Sequence, residues 1–149
     1  MKTRFETQDA DFESRVRKNF AEQKVMQLIG ASLTLVEPGV VEIEIASRED
    51  LTQQDGFMHA GIVTTVLDST CGYAAYTLMP VDSSVLSVEF KVNLLAPTVG
   101  DLVRTRAEVK RFGKILTVCT ADADAFADGK ICATMLATMI CRKAKPNKN

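Results

Sequence analysis

A single carboxylate interrupts a long run of apolar and small residues in this chain. Between Gly56 and Val81 the only formal charge is Asp68, and the only histidine of the protein, His59, lies nine positions before it. A helix that is apolar nearly all round must be wrapped by other structure. A carboxylate inside such a helix is costly unless it is paired or hydrogen-bonded, so Asp68 needs a structural or chemical reason.

The length of this run raises the possibility of a membrane span, which its composition excludes. A central Asp would add roughly 2.5–3.5 kcal/mol to the cost of insertion. The run also contains many hydroxyl-bearing and glycine residues, namely Thr64, Thr65, Ser69, Thr70, Gly72 and Thr77. With 18 basic and 19 acidic residues the net charge is −1, which gives no signal for binding nucleic acid or a membrane surface.

The cysteine and histidine content argues against a metal site. The four cysteines show no CxxC spacing, and one histidine cannot complete a zinc site, so no metal and no cofactor are expected. The first fifteen residues are too charged for a secretory signal. These features together predict a cytoplasmic protein with reduced cysteines.

The order of predicted elements indicates an α+β fold in a chain of 149 residues. We expect an N-terminal helical extension over 1–29, with an amphipathic helix over 9–29, then one domain over 30–143 and a polar tail over 144–149. The domain is predicted to contain a central helix over 60–79. The predicted strands are 31–36, 40–46, 85–95, 102–111, 115–125 and 131–142. This order predicts a curved antiparallel sheet wrapped around the central helix.

The central helix is predicted to have one side of small residues, which includes Asp68. At 100° per residue that side contains Gly61, Thr64, Thr65, Cys71, Gly72 and Ala75. The opposite side contains the bulkier Ile62, Val63, Val66 and Tyr73. Asp68 is therefore either a structural carboxylate, such as one that holds a dimer contact, or a catalytic group, and the helix alone leaves both readings open.

The start of this helix favours the catalytic reading of Asp68. The sequence from Gly56 to Gly61 places His59 and small residues where free backbone N–H groups point out of a helix. Such groups can polarise a carbonyl or stabilise an oxyanion. His59 alone is more typical of a capping or packing residue. Together with Asp68 downstream and a polar loop with Gln53 and Gln54 upstream, it favours acyl transfer or hydrolysis.

At this point the residues resemble a known family. The segment GFMHAGIVTTVLDSTCGYAA is similar to the central helix of the PaaI-type acyl-CoA thioesterases, which adopt the hot-dog fold. Their signature is His-Gly-Gly and, after six further residues, a catalytic Asp. The likeness continues through VLSVEFKVNLLAPTVGDLVRTRAEVKRFGK and covers about residues 30–142. It implies hydrolysis of an acyl-CoA thioester, with an aryl or a medium- or long-chain acyl group that the sequence does not specify further.

The resemblance assigns roles to individual residues. Asp68 matches the general base or nucleophile. Ala60 and Gly61 match the Gly-Gly pair whose first backbone N–H polarises the thioester carbonyl. Ala60 departs from the glycine of many relatives, which leaves the N–H available but disfavours a positive φ at that position.

The remaining assignments concern supporting groups. Gln53 falls where relatives carry Asn or Gln that positions water or substrate, and Ser87 matches a Ser or Thr that holds the attacking water. His59 would support the loop near the thioester. Basic residues on the strands and turns hold the phosphates of CoA in the family, which makes Arg111 and Lys114 the first candidates here.

The resemblance and the helix geometry both imply a shared active site. Asp68 and the start of the helix at Ala60 are separated by roughly 12 Å along the axis, and Asp68 and His59 lie on opposite sides of the helix. We therefore expect a homodimer, or a dimer of dimers, in which each site takes the helix start from one chain and Asp68 from the other. The main alternative is a non-catalytic acyl-CoA or fatty-acyl binding protein. A related hydratase would need an additional Asp/His pair that the sequence lacks.

Overall fold

The computed structural model describes residues 5–125 and 129–145, so the end of the predicted polar tail, residues 146–149, lies outside it. The described residues form three α-helices: α1 (Phe12–Glu22), α2 (Lys24–Ile29) and α3 (Ala60–Tyr76). A short 3-10 helix, Glu49–Leu51, precedes α3. The strands are β1 (Ala31–Glu37), β2 (Val40–Ala46), β3 (Ser83–Leu94), β4 (Leu102–Phe112), β5 (Leu116–Ala125) and β6 (Lys130–Lys143).

The strands form one antiparallel sheet in the order β1-β2-β4-β5-β6-β3. Helix α3 packs against this sheet and contacts every strand, and its buried residues join those of the strands in one hydrophobic core. Alternating burial along β2, β4 and β5 gives each of these strands one face toward the core. The predicted α+β hot-dog fold is confirmed, and each strand lies within two residues of its predicted bounds.

The predicted N-terminal helix is in fact two helices. Gln23 adopts an extended conformation, with φ −76° and ψ 105°, and separates α1 from α2. The hydrophobic pattern is continuous across this break because both helices bury residues against the same core, Val16 from α1 and Met26 and Ile29 from α2. A periodic pattern cannot reveal a change of direction when both segments bury the same side.

Helix α3 is three residues shorter than predicted, and Arg15 of α1 caps its C-terminal end. The Arg15 guanidinium donates to the carbonyl oxygens of Tyr76, at 3.3 Å, and Met79, at 2.8 Å, and lies 4.2 Å from the centre of the Tyr76 ring. It also pairs with Asp9 at 2.7 Å, and that hydrogen bond holds the pKa of Asp9 below its usual value. A cation at a helix C-terminus is favourable, so Arg15 fixes α1 across the end of α3.

Strand β3 forms one edge of the sheet and exposes apolar side chains. Leu86, Val88, Phe90, Leu94 and the following Leu95 are each between 43% and 57% exposed. An unpaired edge strand with exposed apolar side chains is a favourable place for another chain to bind.

Candidate active site

Asp68 and Ser87 lie together on the side of α3 that faces β3. The Ser87 hydroxyl donates a hydrogen bond of 2.6 Å to Oδ1 of Asp68. Among residues 5–125 and 129–145, Asp68 has no ion-pair partner and Oδ2 has no hydrogen-bond donor. The carboxylate is partly exposed, which corrects the expectation of a buried acid. It is therefore oriented by one hydroxyl and keeps an oxygen available for a further proton.

A bulge in β3 sets the direction of Ser87. Ser87 pairs with Met139 of β6 and Glu89 pairs with Thr138, so Val88 is an extra residue between them. Val85 packs against the core before the bulge and Val92 packs against it after the bulge. The core-facing positions therefore change from odd to even numbers at this point, and Ser87 is the last odd position, opposite Asp68.

Asp68 lies in a cavity of about 230 Å³ that four parts of the chain line, one of them β6 through Met139. Helix α3 contributes Gly72 and Tyr73, and β3 contributes Val85 and Leu86. The third wall comes from the N-terminal helices, through Asn19 and Gln23. Tyr73 donates to the amide oxygen of Asn19 at 3.0 Å, and Ser69 donates to that of Gln23 at 3.2 Å. No sequence pattern predicts Asn19 or Gln23 as site residues, because their positions depend on how α1 packs on α3.

The small-residue side of α3 is narrower than predicted. Gly61, Thr64, Thr65 and Gly72 share partial or full exposure with Asp68, as predicted. Cys71 and Ala75 are fully buried, and Ile62 is partly exposed. Cys71 borders the sheet, where its carbonyl accepts from the Cys119 thiol, so the predicted placement of Cys71 was wrong. Ala75 belongs to the C-terminal part of α3, which α1 crosses, and it too is not part of an open surface.

The start of α3 is built around His59. Its backbone N–H donates to Leu51, and its Nδ1 accepts from the Gly61 N–H at 2.9 Å. A Cβ on residue 61 would lie 3.0 Å from Nδ1, so Gly61 gives the ring the room it needs to fold over the helix. His59 is thus the N-cap of α3, and Gly61 has a structural reason to be small.

This cap leaves the Ala60 N–H available. The Gly61 N–H is engaged by the histidine ring, whereas the part of the chain that the structure describes offers the Ala60 N–H no acceptor. Ala60 also lines a second cavity, of about 410 Å³, with Phe57, Met58 and Pro97. Of the Ala60-Gly61 pair, only Ala60 therefore has a free donor in the first turn of α3.

Gln53 belongs to the same end of α3. Its side-chain oxygen accepts from the backbone N–H groups of Asp55 and Phe57, and its amide nitrogen donates to the Asp55 carboxylate at 3.3 Å. Gly56, with φ +83°, closes this loop. Gln53 lines the cavity at Ala60 and is absent from the one at Asp68. In the chain as described, it shapes the loop before α3.

The candidate residues therefore form two separate groups within one chain. Ser87 and Asp68 line one cavity, whereas Gln53 and Ala60 line the other, and no lining residue is common to both. Asp68 lies eight positions after Ala60 in the helix, which corresponds to ~12 Å along the axis. A single carbonyl cannot contact both groups in one chain.

The two basic residues predicted to hold CoA phosphates lie outside both cavities. Arg111 and Lys114 are exposed at the turn between β4 and β5. Arg111 pairs with Val118, which places it three strands from β3 and ~14 Å across the sheet. The chain as described does not bring them to either group.

The nearest thiol to Asp68 along the helix is unsuited to act as a nucleophile. Burial raises the pKa of Cys71, with the Cys119 thiol and the Asp68 charge adding to the effect. Burial raises the pKa of Cys119 to about 12. Nucleophilic attack requires a thiolate, so neither sulfur is reactive at neutral pH.

The described residues form neither a metal-binding cluster nor a membrane-spanning helix. Within 5–125 and 129–145, no group of three His, Cys, Asp or Glu side chains is placed to hold a metal ion. The same residues include no helix that is long and apolar enough to cross a membrane.

Comparison with known proteins identifies the family. The sequence model of the thioesterase superfamily matches residues 55–132, which include α3, β3, β4 and β5. A solved thioesterase-family protein from Silicibacter pomeroyi is 50% identical, covers 89% of this chain and 99% of its own, and superposes with a TM-score of 0.87. The chain therefore belongs to the thioesterase superfamily, and it is a thioester hydrolase of the hot-dog fold.

More distant relatives agree with this placement. A candidate esterase from Saccharolobus solfataricus is 28% identical over 128 residues, which cover 85% of this chain and 83% of that protein. The PaaI protein from the phenylacetic acid degradation operon of E. coli superposes with a TM-score of 0.82 over 91% of this chain and 96% of its own. At 13% identity, this second likeness shows the fold alone.

Proposed function

We propose that this protein hydrolyses acyl-CoA thioesters to a free acid and CoA, with Asp68 as the group that activates water. The observation that carries this proposal is the 2.6 Å hydrogen bond from Ser87 to a partly exposed Asp68 that has no ion-pair partner among the described residues. A carboxylate held by one hydroxyl keeps its second oxygen free to take a proton from water.

The reaction follows from the two groups of residues. The thioester carbonyl accepts a hydrogen bond from the Ala60 N–H, which strengthens as negative charge develops on that oxygen. Oδ2 of Asp68 takes a proton from water, and the water oxygen attacks the carbonyl carbon. The tetrahedral intermediate then breaks its carbon–sulfur bond, and the departing CoA sulfur takes the proton held by Asp68, so CoA leaves as the thiol and the carboxylate is restored. Ser87 holds the carboxylate and the attacking water in the relative positions that proton transfer requires.

We propose that a second copy of the chain completes each site. The two groups lie ~12 Å apart along α3 in one chain. Two helices packed antiparallel about a two-fold axis would bring the Ala60 end of one to Asp68 of the other. The apolar edge of β3 and the exposed stripe of Gly61, Thr64, Thr65 and Gly72 offer surfaces for this association. A homodimer is the minimum unit, and a dimer of dimers is compatible with it.

Recognition of CoA requires cations that can reach its phosphates. Arg111 and Lys114 remain candidates for its phosphates, because exposed cations suit charge-assisted contacts with phosphate. Their distance from both groups in one chain means that they would act on a CoA bound across the dimer. The PaaI-like fold and the polar-lined cavity at Asp68 are compatible with aryl and alkyl acyl groups alike.

The test is the release of free thiol from a panel of acyl-CoA substrates. We expect turnover by the wild-type protein and a loss of about 10²-fold or more in Asp68→Asn, since general bases contribute about 10²–10⁴-fold. The matched control is Asp82→Asn, an exposed carboxylate that lines neither cavity of the candidate site. Near-normal turnover in a folded Asp68→Asn protein would contradict the role of Asp68.

The same panel decides the alternative of a non-catalytic acyl-CoA binder. A binder would form saturable complexes with acyl-CoA and release no thiol with any member of the panel. Turnover that depends on Asp68 would exclude that alternative.

A further inference from the structure

The cavity at Asp68 has a wall that the family match does not include. Asn19 and Gln23 line it, and both precede residue 55, where the match to the thioesterase superfamily begins. The catalytic elements α3 and β3, together with β6, supply the other walls. The N-terminal helices therefore close a cavity whose chemistry belongs to the rest of the domain.

In both side chains of this wall, the amide oxygen is held by a hydrogen bond. The amide oxygen of Asn19 accepts from Tyr73, and that of Gln23 accepts from Ser69. Burial raises the pKa of Tyr73 to about 12, with Tyr76 and Glu22 adding to the effect, so its hydroxyl keeps the proton it donates. Within the described part of the chain, neither amide NH₂ group has a hydrogen-bond acceptor. Both carboxamides thus retain donors at the cavity.

Gly72 leaves open space on the opposite wall. A Cβ at this position would meet no atom within 4 Å of the chain as described. Glycine inside a helix is less stable than alanine by about 1 kcal/mol, so packing within the chain gives no reason for it. Gly72 lies one turn after Asp68, which places the space ~6 Å along α3 from the carboxylate.

We propose that α1 and the residue after it form part of the acyl-binding site, where the side-chain amides of Asn19 and Gln23 hold an oxygen atom on the acyl group. This rests on the proposed function, which puts the thioester carbonyl at Asp68. The acyl group then extends along α3 beside Gly72, in the cavity that the amides of Asn19 and Gln23 also line. A chain of four carbon–carbon bonds and one carbon–oxygen bond spans ~6 Å, the distance along α3 from the carboxylate to the open space at Gly72. The preferred substrates are acyl-CoAs with a hydroxyl or carbonyl oxygen at that distance.

The experiment compares two substrates that differ by one oxygen, hexanoyl-CoA and 5-hydroxyhexanoyl-CoA. We expect the wild-type protein to have a higher kcat/KM for the hydroxylated substrate. Asn19→Leu and Gln23→Leu should each reduce that preference by about threefold to tenfold, the range for one lost hydrogen bond. The matched control is Lys24→Leu, because Lys24 is exposed next to Gln23 and lines neither cavity of the candidate site. A general loss of packing would affect both substrates equally and leave their ratio unchanged.

Substitution of Gly72 tests the path of the acyl group independently. Gly72→Leu should fill the space and lower kcat/KM for both six-carbon substrates by about tenfold or more relative to acetyl-CoA. Gly72→Ala should have a smaller effect in the same direction. Equal effects of Gly72→Leu on acetyl-CoA and the six-carbon substrates would place the acyl group elsewhere and overturn the proposal.

Binding to the Asp68→Asn protein separates this inference from the proposed function. Calorimetry with the same two acyl-CoAs measures discrimination without turnover. If no substrate is hydrolysed but Asn19→Leu still weakens binding of the hydroxylated ligand selectively, the proposed function is wrong and the acyl site stands. If hydrolysis occurs and Asn19→Leu and Gln23→Leu leave the substrate ratio unchanged, the acyl site is wrong and the function stands. Loss of both turnover and discrimination overturns both.

Discussion

Ala60→Pro is a substitution that removes the proposed oxyanion donor and little else. Ala60 is the first residue of α3, a position where proline is well tolerated because its ring presets the helical φ. His59 before it has φ −61° and ψ 132°, an extended conformation that is compatible with a following proline. The described residues provide no acceptor for the Ala60 N–H, so its removal breaks no hydrogen bond of the fold.

The expected effect follows from the role of that N–H. Loss of one oxyanion-hole donor lowers kcat by about 10²–10³-fold. The matched control is Ala60→Val, which adds bulk similar to that of proline and keeps the N–H. Thermal unfolding should show that both variants fold, and thiol release should then show a much larger loss in Ala60→Pro. Equal activity of the two variants would refute Ala60 as the donor.

Mixing this variant with Asp68→Asn tests whether the site is shared. After dissociation and random reassociation at equal amounts, half of the dimers are mixed, and each mixed dimer has one intact site. About one quarter of the wild-type activity should therefore reappear from two inactive proteins. Subunit exchange is checked with differently tagged chains. A mixture that has exchanged and remains inactive would place both groups in the same chain and refute the cross-chain site.

Two further predictions concern the groups that support this chemistry. Ser87→Ala and Gln53→Ala should each lower kcat by about tenfold to a hundredfold, since each removes hydrogen bonds and leaves Asp68 in place. A loss in Ser87→Ala as complete as in Asp68→Asn would show that the roles are misassigned. Because the folded protein holds the pKa of Asp9 below its unfolded value, the unfolded chain binds more protons near pH 3–4 and stability should fall as the pH decreases through that range. Chemical denaturation of wild type and Asp9→Asn should show a weaker dependence on pH in the variant, and equal slopes would exclude this contribution.

The sequence was most informative where a single unusual residue or a local pattern carries the signal. Asp68 stood out as a lone carboxylate in an apolar helix, and the structure gives it a hydrogen-bond partner in Ser87. The strands were predictable because alternation and turn residues are local properties of the chain. Membership of the thioesterase superfamily followed from the motif around His59 and is confirmed by comparison.

The errors all depend on contacts between elements distant in sequence. The break at Gln23 preserves the hydrophobic pattern, so nothing local predicts it. Cys71 was assigned to the open side of α3 from an ideal 100° rotation, whereas it is buried next to Cys119 of β5, a contact that such a projection does not show. Asn19 enters the site from a helix 49 residues before Asp68, and only tertiary packing can bring it there.

The bulge at Val88 determines which part of β3 must keep its length for the active site. Ser83 to Ser87 present odd positions to α3, whereas the strand beyond Val88 presents even positions. Deletion of this one residue would restore regular pairing with β6 and leave Ser87 opposite Asp68, because the residues on both sides of the bulge already alternate in step with β6. Deletion of Leu86 would instead put Val85 and Ser87 on opposite faces of the strand, so one of them would lose its place. The length of β3 before the bulge therefore matters for catalysis, whereas Val88 itself can be lost without moving a catalytic group.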